Sequence, residues 1–350
     1  METSMIRFES DYSEGAHQKI LNKLQETNLE QTPGYSEDQY CDAARGLITA
    51  HLNGQQADIH FLVGGTQTNL TLISAALRPH QSVIAATSAH INTHETGAIE
   101  ATGHKVVTIE SSDGKLTETD IRKTYTDHWQ DPTHEHISQP ALVYISQPTE
   151  CGTMYSLQEV EALSQACREL DLLLYVDGAR LGYSLVASDQ APVLADLAKL
   201  TDAFYIGGTK VGALFGEALV ISNKSLAKDF RYIIKQRGGL LAKGRMLGLQ
   251  FLVLFEDDLY FEISKYAVDQ AMRIKAACKE AGYDFLYDSY TNQQFPILPQ
   301  EKIEKLQEYF AFHIWQQVGN NHAAVRFCTS WATPTQHVDV LIEHLQGGKL

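Results

Sequence analysis

The stretch AFYIGGTKVGALFGEALVIS, residues 203–222, holds two apolar β-branched runs, AFYIGG (203–208) and EALVIS (217–222). Only TKVGALFG lies between them. A parallel pair needs a crossover of about a dozen residues or more, so these two strands must run antiparallel. Upstream the spacing is wider. The runs IHFLVGG (59–65), SVIAA (82–86), KVVTIE (105–110), ALVYIS (141–146) and LLLYVD (172–177) recur with helical patterns in most of the gaps. Continuous apolar character marks strands covered on both faces. One such helix is TQTNLTLISAAL, with Leu70, Ile73 and Leu77 on one face. Another opens at Ser156 with Glu159 three residues on, a capping box. Alternating strand and helix predict an α/β fold: a seven-stranded, mostly parallel sheet with one antiparallel strand, flanked by helices.

The pattern changes after Gly238-Gly239. A long helical stretch runs to about Tyr283, TNQQFPILP reads as a short strand, 301–318 as a helix and AAVRFCTSW as a strand. The expected organisation is an N-terminal arm (1–15), a large domain (16–250) and a smaller C-terminal α+β domain (251–350).

The chain has 350 residues with 28 basic and 43 acidic side chains, a net charge of −15. That balance argues against binding a phosphate backbone, so no nucleic-acid partner is expected. The N-terminal METSMIRFESDYSEG lacks the apolar core of a signal peptide, and no apolar run is long enough to span a bilayer. Five scattered cysteines form no CxxC pair, which points to a reducing cytoplasm.

Ligands of open α/β sheets bind at the carboxyl ends of the parallel strands. Four strand ends stand out. The first leads into GGTQTN (64–69), either a capped turn or an anion cradle at a helix start. The second is followed by His90 and His94, either solvated or capping histidines or ring-facing groups. The fifth ends in Asp177 with Arg180 three residues on, either an ion pair or N-cap or a carboxylate awaiting a cation. The sixth is followed by GGTKVG with Lys210, either a hairpin-surface lysine or a buried amine. In one crevice they make the set that pyridoxal 5′-phosphate requires. The lysine forms a Schiff base, the carboxylate pairs a protonated pyridine nitrogen, and the cradle takes the phosphate.

These motifs resemble the threonine aldolase and β-eliminating lyase family, of the aspartate-aminotransferase-like pyridoxal-phosphate fold type I. The resemblance rests on FESDYS (8–13), GGTQTNL, AHINTHETGA, VDGARL, GGTKVG and VRFCTSW, in family order across nearly the whole chain. It implies Lys210 as the Schiff-base lysine, Asp177 on the pyridine nitrogen and His90 stacked on the ring, with a part in proton transfer. It further implies Gly65, Thr66 and Thr209 at the phosphate, Arg180 beside the ring, and Ser10 and Arg326 on the substrate carboxylate. Arg245, or Lys243, would reach a neighbouring subunit's phosphate. Sites between subunits imply a homodimer or homotetramer. One departure concerns the loop after the fourth strand, where many threonine aldolases carry a histidine in a THNG-like sequence. Here it reads TECG, with Glu150 in that place, a candidate base if its pKa is raised.

The expected reaction is aldol cleavage of L-threonine, L-allo-threonine or a related β-hydroxy-α-amino acid to glycine and an aldehyde. The first rival is β-elimination releasing ammonia. A second is a metal-dependent hydrolase using His90, His94 and Glu95, or the THEH run at 133–136, with no third ligand evident. A third is a catalytically inactive relative, against which the intact Lys210 and Asp177 count.

Overall fold

The computed structural model describes residues 5–347. A short strand, β1 (Ile6–Arg7), opens the chain. The large sheet follows: β2 (Asp58–Leu62), β3 (Gln81–Ala86), β4 (Val106–Ile109), β5 (Gln139–Ser146), β6 (Leu173–Asp177), β7 (Ala203–Gly207) and β8 (Glu217–Ile221). Its order is β2-β8-β7-β6-β5-β3-β4. All neighbours are parallel except β8, which runs antiparallel to both β7 and β2. The short TKVGALFG connection thus closes a hairpin as its length requires.

Both faces are covered, which explains the unbroken apolar strands. In β6, Leu174 and Val176 enter one core, while Tyr175 and the partly buried Leu173 enter the core on the opposite face. Each fully buried aliphatic side chain contributes about 1.5–3 kcal/mol. Turns between layers depend on missing side chains in places. A Cβ on Gly178 would fall 1.7 Å from the Tyr205 carbonyl oxygen, so the chain can leave β6 this close to β7 only with glycine there.

A third core belongs to the C-terminal unit, where β9 (Gln293–Gln294), β10 (Ile297–Pro299), β11 (Phe310–Ala311), β12 (His313–Val318) and β13 (His322–Cys328) gather. β10 and β12 flank β13, and β9 extends from it. The N-terminal strand β1 pairs in parallel with β11, and Phe8 is buried in this third core. The helix Leu259–Glu280 runs from the first core, at Leu259 to Val268, into the third, at Ile274 and Cys278.

Three expectations are corrected. The expected helix over 301–318 spans only Gln300–Gln307, and 310–318 forms β11 and β12. Phe310, Phe312, Ile314, Trp315 and Val318 suit a pleated surface better than a helix, and β13 offers the pairing edge. The long helix is two, Arg245–Phe255 and Leu259–Glu280, broken where Asp257 and Asp258 adopt positive φ. The strand in TNQQFPILP is two pieces, β9 and β10, parted by Phe295-Pro296. Among the described residues, no helix is long and apolar enough to cross a membrane.

Candidate active site

The strand ends converge as their topology dictates. Two adjoining cavities share His90, Glu150, Arg180 and Lys210. The inner one, of about 200 Å³, is lined by Gly64, Gly65, Thr66, Asp177, Thr209 and Glu217 among others. The outer one, of about 590 Å³, adds Tyr12, His94, Trp315 and Arg326.

Asp177 ends β6 and is 4 % exposed. Four donors surround its carboxylate. Asn69 Nδ2 (3.0 Å) and the Tyr144 hydroxyl (2.5 Å) donate to Oδ2, while the Tyr205 hydroxyl (2.6 Å) and the Ala179 N–H (3.0 Å) donate to Oδ1. Burial alone would raise its pKa. The two tyrosines, His90 and the Ala179 N–H outweigh that and hold it below the ordinary carboxylate value. It is therefore an anion aimed into a cavity, as a pyridinium partner must be.

Lys210 follows β7 in the hairpin and is held by its backbone, whose carbonyl accepts from the Tyr183 hydroxyl (2.5 Å). Its amine is in no direct ion pair among the described residues. Burial and then Arg180 push its pKa down, against the pull of Asp11, Asp177 and Glu217. A lowered amine pKa favours the neutral nucleophile.

His90 opens a single helical turn, His90–Thr93, so His94 lies beyond that helix; the two rings are 5.6 Å apart. Nδ1 of His90 is 2.9 Å from Oε1 of Glu95, which also accepts from Asn69 Nδ2 (2.8 Å). The carboxylate can only accept, so Nδ1 carries the proton and Nε2 is left for the cavity. Burial opposes protonation, but the Glu95 hydrogen bond and Asp177 raise the His90 pKa. Among the described residues no three metal-ligating side chains cluster, so the hydrolase rival lacks a ligand set there.

Glu150 stands on the loop after β5. Its Oε1 accepts from Ser146 Oγ (2.8 Å) and from the His90 N–H (3.0 Å). Burial, then Asp177, raises its pKa. Arg180 lines both cavities, but its Nε and Nη2 donate to Asp11 (2.7 and 3.0 Å) rather than to Asp177. Although burial opposes it, Arg180 and Lys210 hold Asp11 at about 2. Asn292 Nδ2 donates to the same carboxylate (2.9 Å).

Arg326 borders the outer cavity, donating to the Glu9 carbonyl (2.8 Å) and to Gln293 Oε1 (3.3 Å), with its Nε buried and unpartnered. Ser10 is not brought into the cavity wall. Its hydroxyl meets Ser13 Oγ (2.9 Å), and Tyr12 is the arm residue that lines the site. Arg245 also lies outside both walls, at the start of its helix, donating to the Asn28 carbonyl (3.4 Å). Lys243 precedes it, exposed.

Pyridoxal phosphate fits these residues. Gly65 and Thr66 open the helix Gly65–Ala76 at the cavity, with free N–H groups and the favourable end of the dipole. A Cβ on Gly65 would lie 2.9 Å from the Tyr205 hydroxyl that serves Asp177, so glycine keeps the cradle open. Thr209 is the exception, because its hydroxyl donates to Glu217 Oε1 (2.8 Å). Sequence reasoning missed Asp11, Asn69, Tyr144, Tyr205 and Glu217, and weighed Glu95 only beside a metal, not as the partner of His90. Asp11, Asn69 and Glu95 fell within quoted motifs, and that was the only signal available.

Comparisons with known proteins point to one family and one fold. The model of the beta-eliminating lyase family matches residues 8–300. A low specificity L-threonine aldolase from a Pseudomonas species is 30% identical, over 95% of this chain and 94% of its own. The structure of Leishmania major threonine aldolase is 45% identical with a TM-score of 0.94, covering 97% of this chain and 98% of that one. An aspartate aminotransferase from Thermus thermophilus shares the fold, with a TM-score of 0.72 at 13% identity over 99% of this chain and 92% of its own.

Proposed function

The chain belongs to the beta-eliminating lyase family, and from that premise we infer that it is a pyridoxal 5′-phosphate-dependent carbon–carbon lyase that cleaves L-threonine, L-allo-threonine or a related β-hydroxy-α-amino acid to glycine and an aldehyde. The observation that carries this is the pairing of an ionised, four-donor Asp177 with a depressed-pKa Lys210 in the wall of one cavity. The cofactor supplies an electron sink for the carbanion left when the Cα–Cβ bond breaks.

The chain's own residues do the rest. Lys210 would hold the cofactor's aldehyde carbon, Asp177 its ring nitrogen, and Gly65 and Thr66 its phosphate. His90, in the wall of both cavities, would pack against the ring. Arg326, whose Nε has no partner, would take the substrate carboxylate, and a planar guanidinium suits it bidentately. That grip would fix the orientation of the substrate's Cα in the site. Glu150 removes the β-hydroxyl proton. Its raised pKa suits a base, and the Glu95 carboxylate raises the His90 pKa, which suits that imidazole to proton transfer. Arg180, paired to Asp11, would border the ring with its charge already matched. Arg245, or Lys243, reaches the phosphate of a neighbouring subunit in a homodimer or homotetramer. Five buried free cysteines suit a cytoplasmic home.

The test is product identification with the loaded enzyme on both threonine diastereomers, measuring glycine and ammonia in one tube. Equimolar glycine and acetaldehyde is the expected result. Ammonia with 2-oxobutanoate and no glycine would replace aldol cleavage by β-elimination.

A further inference from the structure

Glu217 is a buried acid in the inner cavity that the mechanism above leaves without a task. It opens β8, in register between Leu62 of β2 and Gly207 of β7, and is 3 % exposed. Its Oε2 accepts from the Gly208 N–H (3.0 Å) and its Oε1 from the Thr209 hydroxyl (2.8 Å). Thr209 Oγ1 in turn accepts from the Gly216 N–H (3.0 Å), so its one proton is committed to Glu217. The carboxyl shares the cavity wall with Gly64, Gly65 and Thr66, the helix start that suits a phosphate.

A phosphate there and an ionised carboxylate would be two anions in about 200 Å³. Like charges in a site this size raise the pKa of the weaker acid until it keeps its proton. The charged groups that face Glu217 are Lys210 and Asp177, of opposite sign. Tyr175, Tyr205 and Tyr260 also face it, and burial keeps all three phenols neutral. Burial already pushes the carboxyl up to about 8, against Thr209, Lys210 and the Gly208 N–H.

We propose that Glu217 is a proton-holding residue of the phosphate subsite: its carboxyl stays protonated while a phosphate group is seated at the start of the Gly65–Ala76 helix, taking the proton from solvent when it was ionised beforehand. This rests on the reading of the inner cavity as the cofactor site. Glu217 forms and breaks no covalent bond to the cofactor. It makes cofactor affinity depend on pH.

The probe is 4′-deoxypyridoxine 5′-phosphate, which keeps the ring and phosphate but has no aldehyde for Lys210. It is titrated into the full-length protein freed of cofactor, at pH values on both sides of the Glu217 range, for wild type and Glu217→Gln. Calorimetry in two buffers of different ionisation enthalpy counts the protons taken up. Above about pH 8 the wild-type Kd should rise about tenfold per pH unit more steeply than that of E217Q, with one more proton taken up. Equal slopes and equal proton counts overturn the proposal. A second reading uses wild type alone, so it survives a variant that fails to fold. An infrared difference spectrum above pH 8 should gain a protonated-carboxyl C=O band when the probe binds, and a spectrum without it overturns the proposal. A wild type that binds no probe at any pH overturns the cofactor reading, and this proposal with it.

Discussion

Asp177 and Glu217 are both buried carboxyl groups in the wall of one cavity, yet the protein pushes them in opposite directions. Asp177 receives four donors, two on each oxygen, and is kept ionised. Glu217 receives two and is pushed up to about 8. Burial is the largest single influence on both. The contrast shows that the charge of a buried acid is set by the donors arranged around it, since desolvation acts on each alike.

The largest effect should come from the amine that faces both acids. Lys210→Ala should leave no turnover above background, read as glycine release; full activity would break the assignment of both ends. Asp177→Asn should come next. Whichever way the amide turns, its NH2 meets two donors, Asn69 and Tyr144 or Tyr205 and Ala179. Activity should fall about 10²–10³-fold, and urea unfolding should show a loss of about 1–3 kcal/mol or more. Unchanged stability would mean that the four-donor cage is not holding a charge.

The pH dependence of stability sharpens the contrast further, because the two signs differ. Asp177, with its lowered pKa, contributes stability above its unfolded value near 3.8 that is lost as the pH falls through the folded value. Glu217, with its raised pKa, contributes stability that is full below about 4.5 and is lost as the pH rises to about 8. Cofactor-free E217Q should therefore lack a downward slope that wild type shows between those limits. Parallel curves would put Glu217 among the ionised acids. Tyr205→Phe takes one donor from the Asp177 carboxylate at about 1.5–3 kcal/mol and moves the acid limb of its stability curve to higher pH. Smallest in stability should be Glu95→Gln, read by the His90 imidazole titration in NMR. That pKa should fall towards its ordinary value once the carboxylate is gone.

What the sequence disclosed follows the same division. Asp177, Lys210, His90 and the Gly64–Thr66 cradle were legible because each is anchored to the end of an apolar run, and strand ends meet by topology. The antiparallel β8 was legible from connection length. The partners that decide ionisation were not, because they arrive from far along the chain: Asn69 is 108 residues from Asp177, and Arg180 is 169 residues from Asp11. Tyr144, Tyr175 and Tyr205 read as strand filler, and only neighbouring strands reveal that their hydroxyls form a belt around Asp177 and Asn69. In the C-terminal unit, helical and strand patterns over 301–318 compete at short range, and pairing with β13 decides for the strand.

Asp11 works as a bolt across the molecule. Its arm is fastened to the C-terminal unit by β1 on β11, by Phe8 in the third core and by Asn292 on its carboxylate. Its other grip is Arg180 on the large sheet's side of the cleft. The arm must therefore travel with the C-terminal unit, and any rotation that swings that unit away has to draw the bolt by parting Asp11 from Arg180. Deleting either partner would leave the other charge buried and unpaired, at a cost of about 3–5 kcal/mol. Residues 6–11 thus tie the C-terminal unit to the large sheet across the cleft.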